Sequence, residues 1–365
     1  MIILNFLKII FFRLIYGRIN LLKYSKKNQK NVLTKKIFLS KNISYNIYVL
    51  NKASSYQGSV HDNALIVENS VIDKPSYQYR FNSKKRIHNG KIRQNIIFKE
   101  GTAKFKKKIN ENVFLLLTGG AGKDNYFHWL FDVLPRFAIF EKSKIKYKKL
   151  KFILPSLKRN FQRETLKEMK IPEDKCLDGD NFKHFSAKKI IVTDHPYVKN
   201  NDPTNSIINI PDWIIYWLRN KFLNKRKKLK SKKFEKIYID RSDSKFSKNR
   251  YIKNEFEIKK YLISSGFYPV VLSKVNFISQ VKIFNKAKII VGAHGAGFAN
   301  IIFSKLGTKI IELQSPGSGN AIKNLAKKCK LKYYRITSNA IKRFSNPHGR
   351  IFININELKK KLKAR

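Results

Sequence analysis

The sequence predicts an α/β fold made of two Rossmann-like domains whose parallel sheets face a cleft. Three observations lead there. From residue 113 onward, short apolar runs alternate with stretches of helical period, the pattern of βαβ units. The alternation comes in two blocks, parted at residues 225–233, which are almost wholly charged. Residues able to do chemistry cluster where apolar runs end, and open α/β sheets bind ligands beyond the carboxyl ends of their strands.

Residues 1–36 form a separate apolar and basic segment. Residues 1–16 are apolar but carry Lys8 and Arg13, too short and too charged to cross a bilayer. They lack the leading charges and small-residue end of a secretion signal. Two readings stay open: an interfacial helix on an anionic leaflet, or a first helix that packs in the core. Residues 17–36 are polar and lysine-rich and read as a linker.

The first domain spans 37–224. Its runs at 43–50, 64–67 and 95–98 read as strands. A continuous apolar strand at 113–118 closes on Gly119-Gly120 and leads to a helix at 126–140. Then come a strand at 152–154, a helix at 161–169, a strand at 189–192, a polar loop at 196–203 and a helix at 211–223 with proline at its start. The second domain spans 234–340. It has strands at 237–239, 269–272, 288–291, 309–313 and 332–336, and helices at 255–264, 277–287 and 320–329. A basic helix at 355–365 closes the chain within segment 341–365.

The 365 residues carry 78 Lys and Arg against 24 Asp and Glu, a net charge of 78 − 24 = +54. That total first points to nucleic acid or an anionic membrane. The lysines, however, are spread along the whole length instead of clustering on one element. The chain is also rich in Lys, Ile, Asn, Phe and Tyr, residues with A/T-rich codons. Cys176 and Cys329 have no zinc-type spacing and are too few for a disulfide framework, which fits a reducing cytoplasm.

The sharpest motif runs Val291-Gly292-Ala293-His294-Gly295-Ala296-Gly297-Phe298-Ala299-Asn300. A strand enters a loop of three glycines and a histidine, and a helix follows. Glycines admit a phosphate close to backbone amides, and a helix N-terminus favours an anion. Asn300 stands where the dinucleotide fingerprint needs its third glycine. Glu312, near the end of the next strand, is placed to accept ribose hydroxyls. In the stretch 125–136, His128 and Asp132 lie four apart on one face of an otherwise apolar helix. Asp132 either orients His128 or is itself a base. Trp129 lies between them in sequence, and Pro135 is expected to bend or end the helix before Arg136. Arg241 at a strand end, with Arg250 nine residues on, can clamp a diphosphate. Gly119-Gly120-Ala121-Gly122-Lys123-Asp124 fails the P-loop spacing, and Asp178-Gly179-Asp180 reads as a turn.

Taken together, residues 125–136, 241–255 and 291–312 resemble glycosyltransferase family 61, whose bacterial members are often described as capsular polysaccharide biosynthesis proteins. The resemblance implies a two-domain GT-B architecture, a nucleotide-sugar donor, a glycan or lipid-linked acceptor, and inverting transfer with no cofactor and no essential metal. It implies that the loop of Gly292, His294, Gly295, Ala296, Gly297 and Asn300, together with Glu312, contacts the donor, and under it Trp129 is the residue expected to stack on an acceptor sugar. Phe298 and Ala299 stand where the family pattern has Leu and Thr, and a Ser/Lys-rich insert separates Arg241 from Arg250. The expected setting is the cytoplasm, peripheral to the inner face of the membrane. The competing readings are a nucleic-acid-binding protein, against which the spread of lysines speaks, and a dinucleotide-dependent oxidoreductase, against which the missing glycine speaks.

Overall fold

The computed structural model describes every residue except 1, 19, 23–30, 59–61, 79, 82–85, 88–94, 96, 118–121, 199–202, 224–231, 243–251, 339–350 and 365. The chain divides into two compact units, Met1–Ser206 and Ile207–Arg365.

In the first unit, helix α1 (Ile2–Tyr16) precedes strands β1 (Asn20–Leu22), β2 (Val32–Ser40), β3 (Ile43–Tyr56), β4 (Asp62–Val67), β5 (Ser70–Ile72) and β6 (Tyr77–Gln78). Strands β7 (Arg80–Phe81) and β8 (Arg86–Ile87) form a small ribbon of their own. Then follow α2 (Ile97–Glu100), β9 (Lys107–Leu115), α3 (Tyr126–His128), α4 (Pro135–Lys142) and β10 (Leu150–Leu154). Helix α5 (Asn160–Glu168), β11 (Cys176–Asp178), β12 (His184–Thr193) and α6 (Pro203–Ile208) complete the run. The main sheet has the order β1-β5-β4-β3-β12-β9-β10-β11, with β2 beside β3 and β6 beside β4.

This sheet is mixed, so the all-parallel expectation is corrected for the first domain. Strands β12, β9, β10 and β11 run parallel, whereas β3 is antiparallel to β12, β2 and β4. The connections decide it. Parallel neighbours need a long crossover, and α3, α4 and α5 supply it. Strands β4 and β5 are joined by Glu68-Asn69 alone, both at positive φ (49° and 62°), the signature of a tight hairpin turn. Residues 95–98, expected as a strand, instead enter α2, and part of the supposed linker is strand β2.

The core of this unit forms where β3, β9 and β12 pack Leu50, Val113, Leu115, Phe185 and Ile190 together. At its edge, His184 is nearly unexposed between the ring edges of Tyr16 and Tyr56, 5.2 and 5.4 Å away. Its Nδ1 donates to the carbonyl of Lys104 (2.7 Å). Burial, only partly offset by that bond, brings its pKa down to about 4. The folded state therefore keeps His184 neutral while the unfolded chain takes up a proton below the ordinary histidine value of about 6.5. Stability is lost as pH falls from about 6.5 to about 4, in total by roughly 3 kcal/mol. Urea unfolding across that range measures it, and His184→Gln should flatten the slope. A slope unchanged by the substitution places the effect elsewhere.

In the second unit, helix α7 (Asp212–Phe222) leads to β13 (Lys236–Asp240), α8 (Glu255–Ser264), β14 (Tyr268–Val271), α9 (Phe277–Lys286) and β15 (Ile289–Ala293). A 3-10 helix (Ala296–Phe303), β16 (Lys309–Gln314), α10 (Ala321–Lys328), β17 (Lys332–Thr337) and α11 (Ile355–Lys363) follow. Its five strands run parallel in the order β14-β13-β15-β16-β17. The three central strands, β13, β15 and β16, are buried almost throughout and read as near-continuous apolar runs, which is why they were legible in sequence. Helix α7, placed in the first domain by sequence, packs here: Phe222 meets Phe277 and Phe303 edge-on, and Arg219 donates to the carbonyls of Ile302 and Ser304. Asn254 does not cap α8 with its side chain. It bonds the backbone of Ile353 in both directions, holding the start of α8 to the segment that precedes α11.

Candidate functional site

In the first unit the sheet reverses direction at β9. Strands β10 and β11 build outward on one side, and the chain then crosses to lay β12 on the other. A ligand crevice forms at such a switch point, beyond the carboxyl ends of the two strands that flank it. Strand β9 leads into α3, and β12 leads into the loop that begins at Asp194.

Asn125 opens α3 by accepting from the Phe127 amide (3.0 Å). Pro135 has no N–H and its ring would strike a carbonyl one turn back. The helix absorbs this with a π turn at Trp129–Val133, in which the Leu134 amide reaches back to the Trp129 carbonyl (3.1 Å). The path therefore continues into α4 instead of ending, and Arg136 is drawn inside, its Nε donating to the Asp132 carbonyl (2.9 Å).

The expected pairing of His128 and Asp132 is present: His128 Nδ1 lies 2.9 Å from Asp132 Oδ2. Tyr197 donates its hydroxyl to the other oxygen, Oδ1 (2.6 Å), and His195 Nε2 stands 3.8 Å from Oδ2. His195 Nδ1 accepts from the amides of Tyr197 and Val198 (3.3 and 3.1 Å), which leaves its proton on Nε2, toward Asp132. The loop bearing both residues is anchored by Asp194, whose carboxylate accepts from Asn46 and Tyr48 of β3.

Burial alone would raise the Asp132 carboxyl, but the charge and hydrogen bond of His128, then those of His195, hold it well below the usual carboxylate range. His128 is the mirror case. Burial depresses its imidazole, yet Asp132 carries it above the ordinary histidine value. His195, more deeply enclosed, goes down despite Asp132. Of the two candidate bases only His128 reaches solvent, its side chain 22% exposed against 3% for Asp132. Asp132 as a direct base is thus at odds with its burial and with the engagement of both its oxygens. Trp129 is likewise corrected: it is fully buried, packs near Phe161 (6.3 Å) and donates to Thr165 (2.9 Å), so no sugar can stack on it here. Sequence reasoning missed His195 and Tyr197. The available signal was a histidine and a tyrosine just past the end of a strand.

The second unit has its own switch point, between β13 and β15, where the connections leave in opposite directions. Arg241 follows β13 and His294 follows β15. Arg241 Nη1 donates to the His294 carbonyl (2.6 Å). The three glycines have three different neighbours. A Cβ on Gly292 would stand 2.9 Å from Cβ of Ile239, and one on Gly297 would stand 2.7 Å from Cδ1 of Leu272. Only at Gly295 is the neighbour a functional candidate: its Cβ would lie 3.1 Å from Nη1 of Arg241. Ala296 follows at the start of the 3-10 helix, whose first amides lack an intrahelical partner.

Two donor-side expectations are corrected. Asn300 is fully buried and donates to Gln280 (2.9 Å), tying the 3-10 helix to α9. Glu312 is also buried, with one oxygen 2.5 Å from His294 Nδ1 and the other accepting from the Tyr333 hydroxyl (2.5 Å). With both oxygens engaged by His294 and Tyr333, its carboxylate positions the histidine ring and is not turned out to accept ribose hydroxyls. Burial first, and then Glu312, raise the Tyr333 phenol. Arg250 lies outside the described residues. The Asp178-Gly179-Asp180 turn is as expected: Asp178 accepts from the amides of Leu157 and Asp180, and Asp180 pairs with Lys123, Lys158 and Lys183.

Each unit thus carries a histidine fixed by a buried carboxylate that a tyrosine also bonds, at the carboxyl ends of the strands flanking its switch point. A histidine held by a buried carboxylate at the strand ends of an α/β sheet is the make-up of an enzyme site. The family model Glycosyltransferase 61 matches residues 126–311, half of the chain, and the chain belongs to that family. It is a glycosyltransferase. The matched stretch takes in His128, His195, Arg241 and His294 and stops one residue short of Glu312. No curated protein matches the chain.

Proposed function

We propose that the chain transfers a sugar from a nucleotide-sugar donor to a hydroxyl of a glycan or lipid-linked acceptor with inversion at the anomeric carbon. The observation that carries this is the His128–Asp132–Tyr197 cluster. With Nδ1–H given to Asp132, neutral His128 turns Nε2 outward as a proton acceptor. In the reaction, Nε2 takes the acceptor's hydroxyl proton as the oxygen forms a bond to the anomeric carbon. The bond from that carbon to the diphosphate oxygen breaks on the opposite face, and the nucleoside diphosphate leaves with the electron pair. A single displacement of this kind inverts configuration. Asp132, Tyr197 and His195 are positioning residues.

Arg241, with the amides of Ala296 and Gly297, meets the charge that develops on the leaving diphosphate. In this reading positive protein groups supply that stabilisation and no step is routed through a metal. The two units divide the labour of a GT-B enzyme, the second holding the donor and the first activating the acceptor. The acceptor class is a surface polysaccharide or its lipid-linked precursor.

A thermal-shift screen across nucleotide sugars tests the donor side, because a ligand that binds only the folded state raises its stability by mass action. One nucleotide sugar, and the nucleoside diphosphate it shares, should raise the unfolding midpoint in a saturable way. Stabilisation by dinucleotides but by no nucleotide sugar would count against the proposal.

A further inference from the structure

Helix α1 is held to the first unit by one side only. Phe12 is buried against Phe105, with ring centroids 5.0 Å apart, and Tyr16 meets His184 edge-on. Arg13 donates to the carbonyl of Lys99 in α2, and the Tyr16 hydroxyl accepts from the Lys106 amide (3.0 Å). The opposite side is apolar and faces out. Ile3, Leu4 and Leu14 are 75, 74 and 81% exposed, and Leu7, Ile10 and Phe11 are exposed with them. At 3.6 residues per turn these six fall on one continuous face, and Lys8 and Arg13 lie on its two opposite borders.

A second element presents the same chemistry beside it. Phe105, touching Phe12, is 73% exposed and stands among Lys104, Lys106, Lys107 and Lys108. Lys106 lies over the Tyr16 ring at 5.4 Å. Lys104 itself turns inward, its Nζ donating to the carbonyl of Gly58 (3.0 Å), while Lys106, Lys107 and Lys108 are exposed beside Phe105. An apolar patch this continuous on a water-facing helix marks an interaction surface. At 15 residues α1 is too short to cross a bilayer, and no helix among the described residues is long and apolar enough to do so.

We infer that α1 and the Phe105 segment together form a docking surface for an anionic lipid bilayer, α1 lying in the plane of the interface. The apolar face enters the boundary between headgroups and acyl chains, and the cations on its borders sit at the level of the lipid phosphates. Charge complementarity favours this occupant over a second copy of the chain, since a face-to-face pair would bring the cationic borders of two helices together. The inference rests on none of the residues assigned to sugar transfer.

The full-length protein should co-sediment with vesicles of phosphatidylcholine and phosphatidylglycerol and stay in solution with phosphatidylcholine alone. Binding should weaken with salt. The double variant Leu7→Glu, Leu14→Glu changes only exposed side chains. It should keep the thermal midpoint and lose roughly tenfold or more of its partitioning. Lys8→Glu with Lys108→Glu should lower the salt concentration at which binding is lost. The inference is overturned if the protein ignores anionic vesicles, or if the Leu variant partitions as well as the parent. It is equally overturned if sedimentation velocity finds a dimer that the Leu substitutions dissolve while vesicles do not bind.

Discussion

Replacing His128 with Gln is expected to lower turnover by roughly 10²- to 10⁴-fold, the usual contribution of a positioned general base. The acceptor's proton then has no nitrogen of suitable basicity to receive it. Donor binding should hardly change, because His128 lies in the first unit and the residues proposed to hold the donor, Arg241 and the loop after β15, lie in the second. The pH profile separates His128 from the groups behind it. A base must be neutral to act, so activity rises as pH climbs through the His128 pKa. Asp132 holds that pKa above the ordinary histidine value, against the opposing effect of burial. In Asp132→Asn the rising limb should therefore move to lower pH while the plateau falls. The amide offers an N–H where the carboxylate offered a lone pair, and so favours the wrong tautomer of His128. Tyr197→Phe removes one bond to Asp132 and should cost turnover about tenfold without moving the donor's KM, in line with a hydrogen bond to a charged group. A His128→Gln protein that folds and keeps its turnover sinks the assignment.

The second unit was readable almost strand by strand because its three central parallel strands, β13, β15 and β16, are buried almost throughout. Such strands need unbroken apolar runs, and residues 289–293 announce themselves without any tertiary information, whereas β17, mostly uncovered, reads only from its aromatic and β-branched residues. In the antiparallel half of the first sheet the runs at 43–50 and 64–67 were readable and lie in β3 and β4, but their pairing was not. Its turn at Glu68-Asn69 carries no glycine, although both residues take positive φ, so the usual hairpin dipeptide is missing. Strand β2 hides in a stretch whose lysines look like a linker, because only one of its faces is covered. The π turn is invisible for a different reason: Pro135 shows that the helix must yield but not how.

The same divide runs through the site. Residue types were legible and burial was not. Trp129, Asn300 and Glu312 have the chemistry to touch a sugar nucleotide, and each is spent inside the protein on Thr165, Gln280 and His294. Only packing decides which polar group of a motif faces the ligand and which one positions it. Conversely, His195 and Tyr197 sit more than sixty residues from Asp132 in sequence and carry no motif. The parallel pairing of β12 with β9 brings them to it, and a pattern read along the chain has no access to that contact.

Arg241→Ala is expected to weaken nucleoside diphosphate binding by roughly 10- to 100-fold, equivalent to about 1.5–3 kcal/mol for a charge-assisted bond to phosphate. Two glycine substitutions show whether this effect belongs to the ligand or to the fold. Gly295→Ala puts a methyl group 3.1 Å from Nη1 of Arg241, a group at the end of a long side chain that can give way. Its φ of 166° is extended backbone that any residue adopts, so the fold should hardly notice. The guanidinium, however, must leave its seat on the His294 carbonyl, and diphosphate affinity should fall by several-fold, less than in Arg241→Ala. Gly292→Ala should do the reverse. Its new methyl meets Cβ of Ile239, close to the backbone of the neighbouring strand, where nothing can rotate aside. The expected cost is stability, about 1–3 kcal/mol, with affinity kept in the fraction that folds. Isothermal titration with the nucleoside diphosphate, run beside urea unfolding, reads both quantities. If Gly295→Ala and Gly292→Ala give the same pattern, the glycines serve only packing and Arg241 is not seated for a diphosphate. If they split as described, the loop after β15 is shaped around Arg241, and that guanidinium is the donor clamp of the second unit.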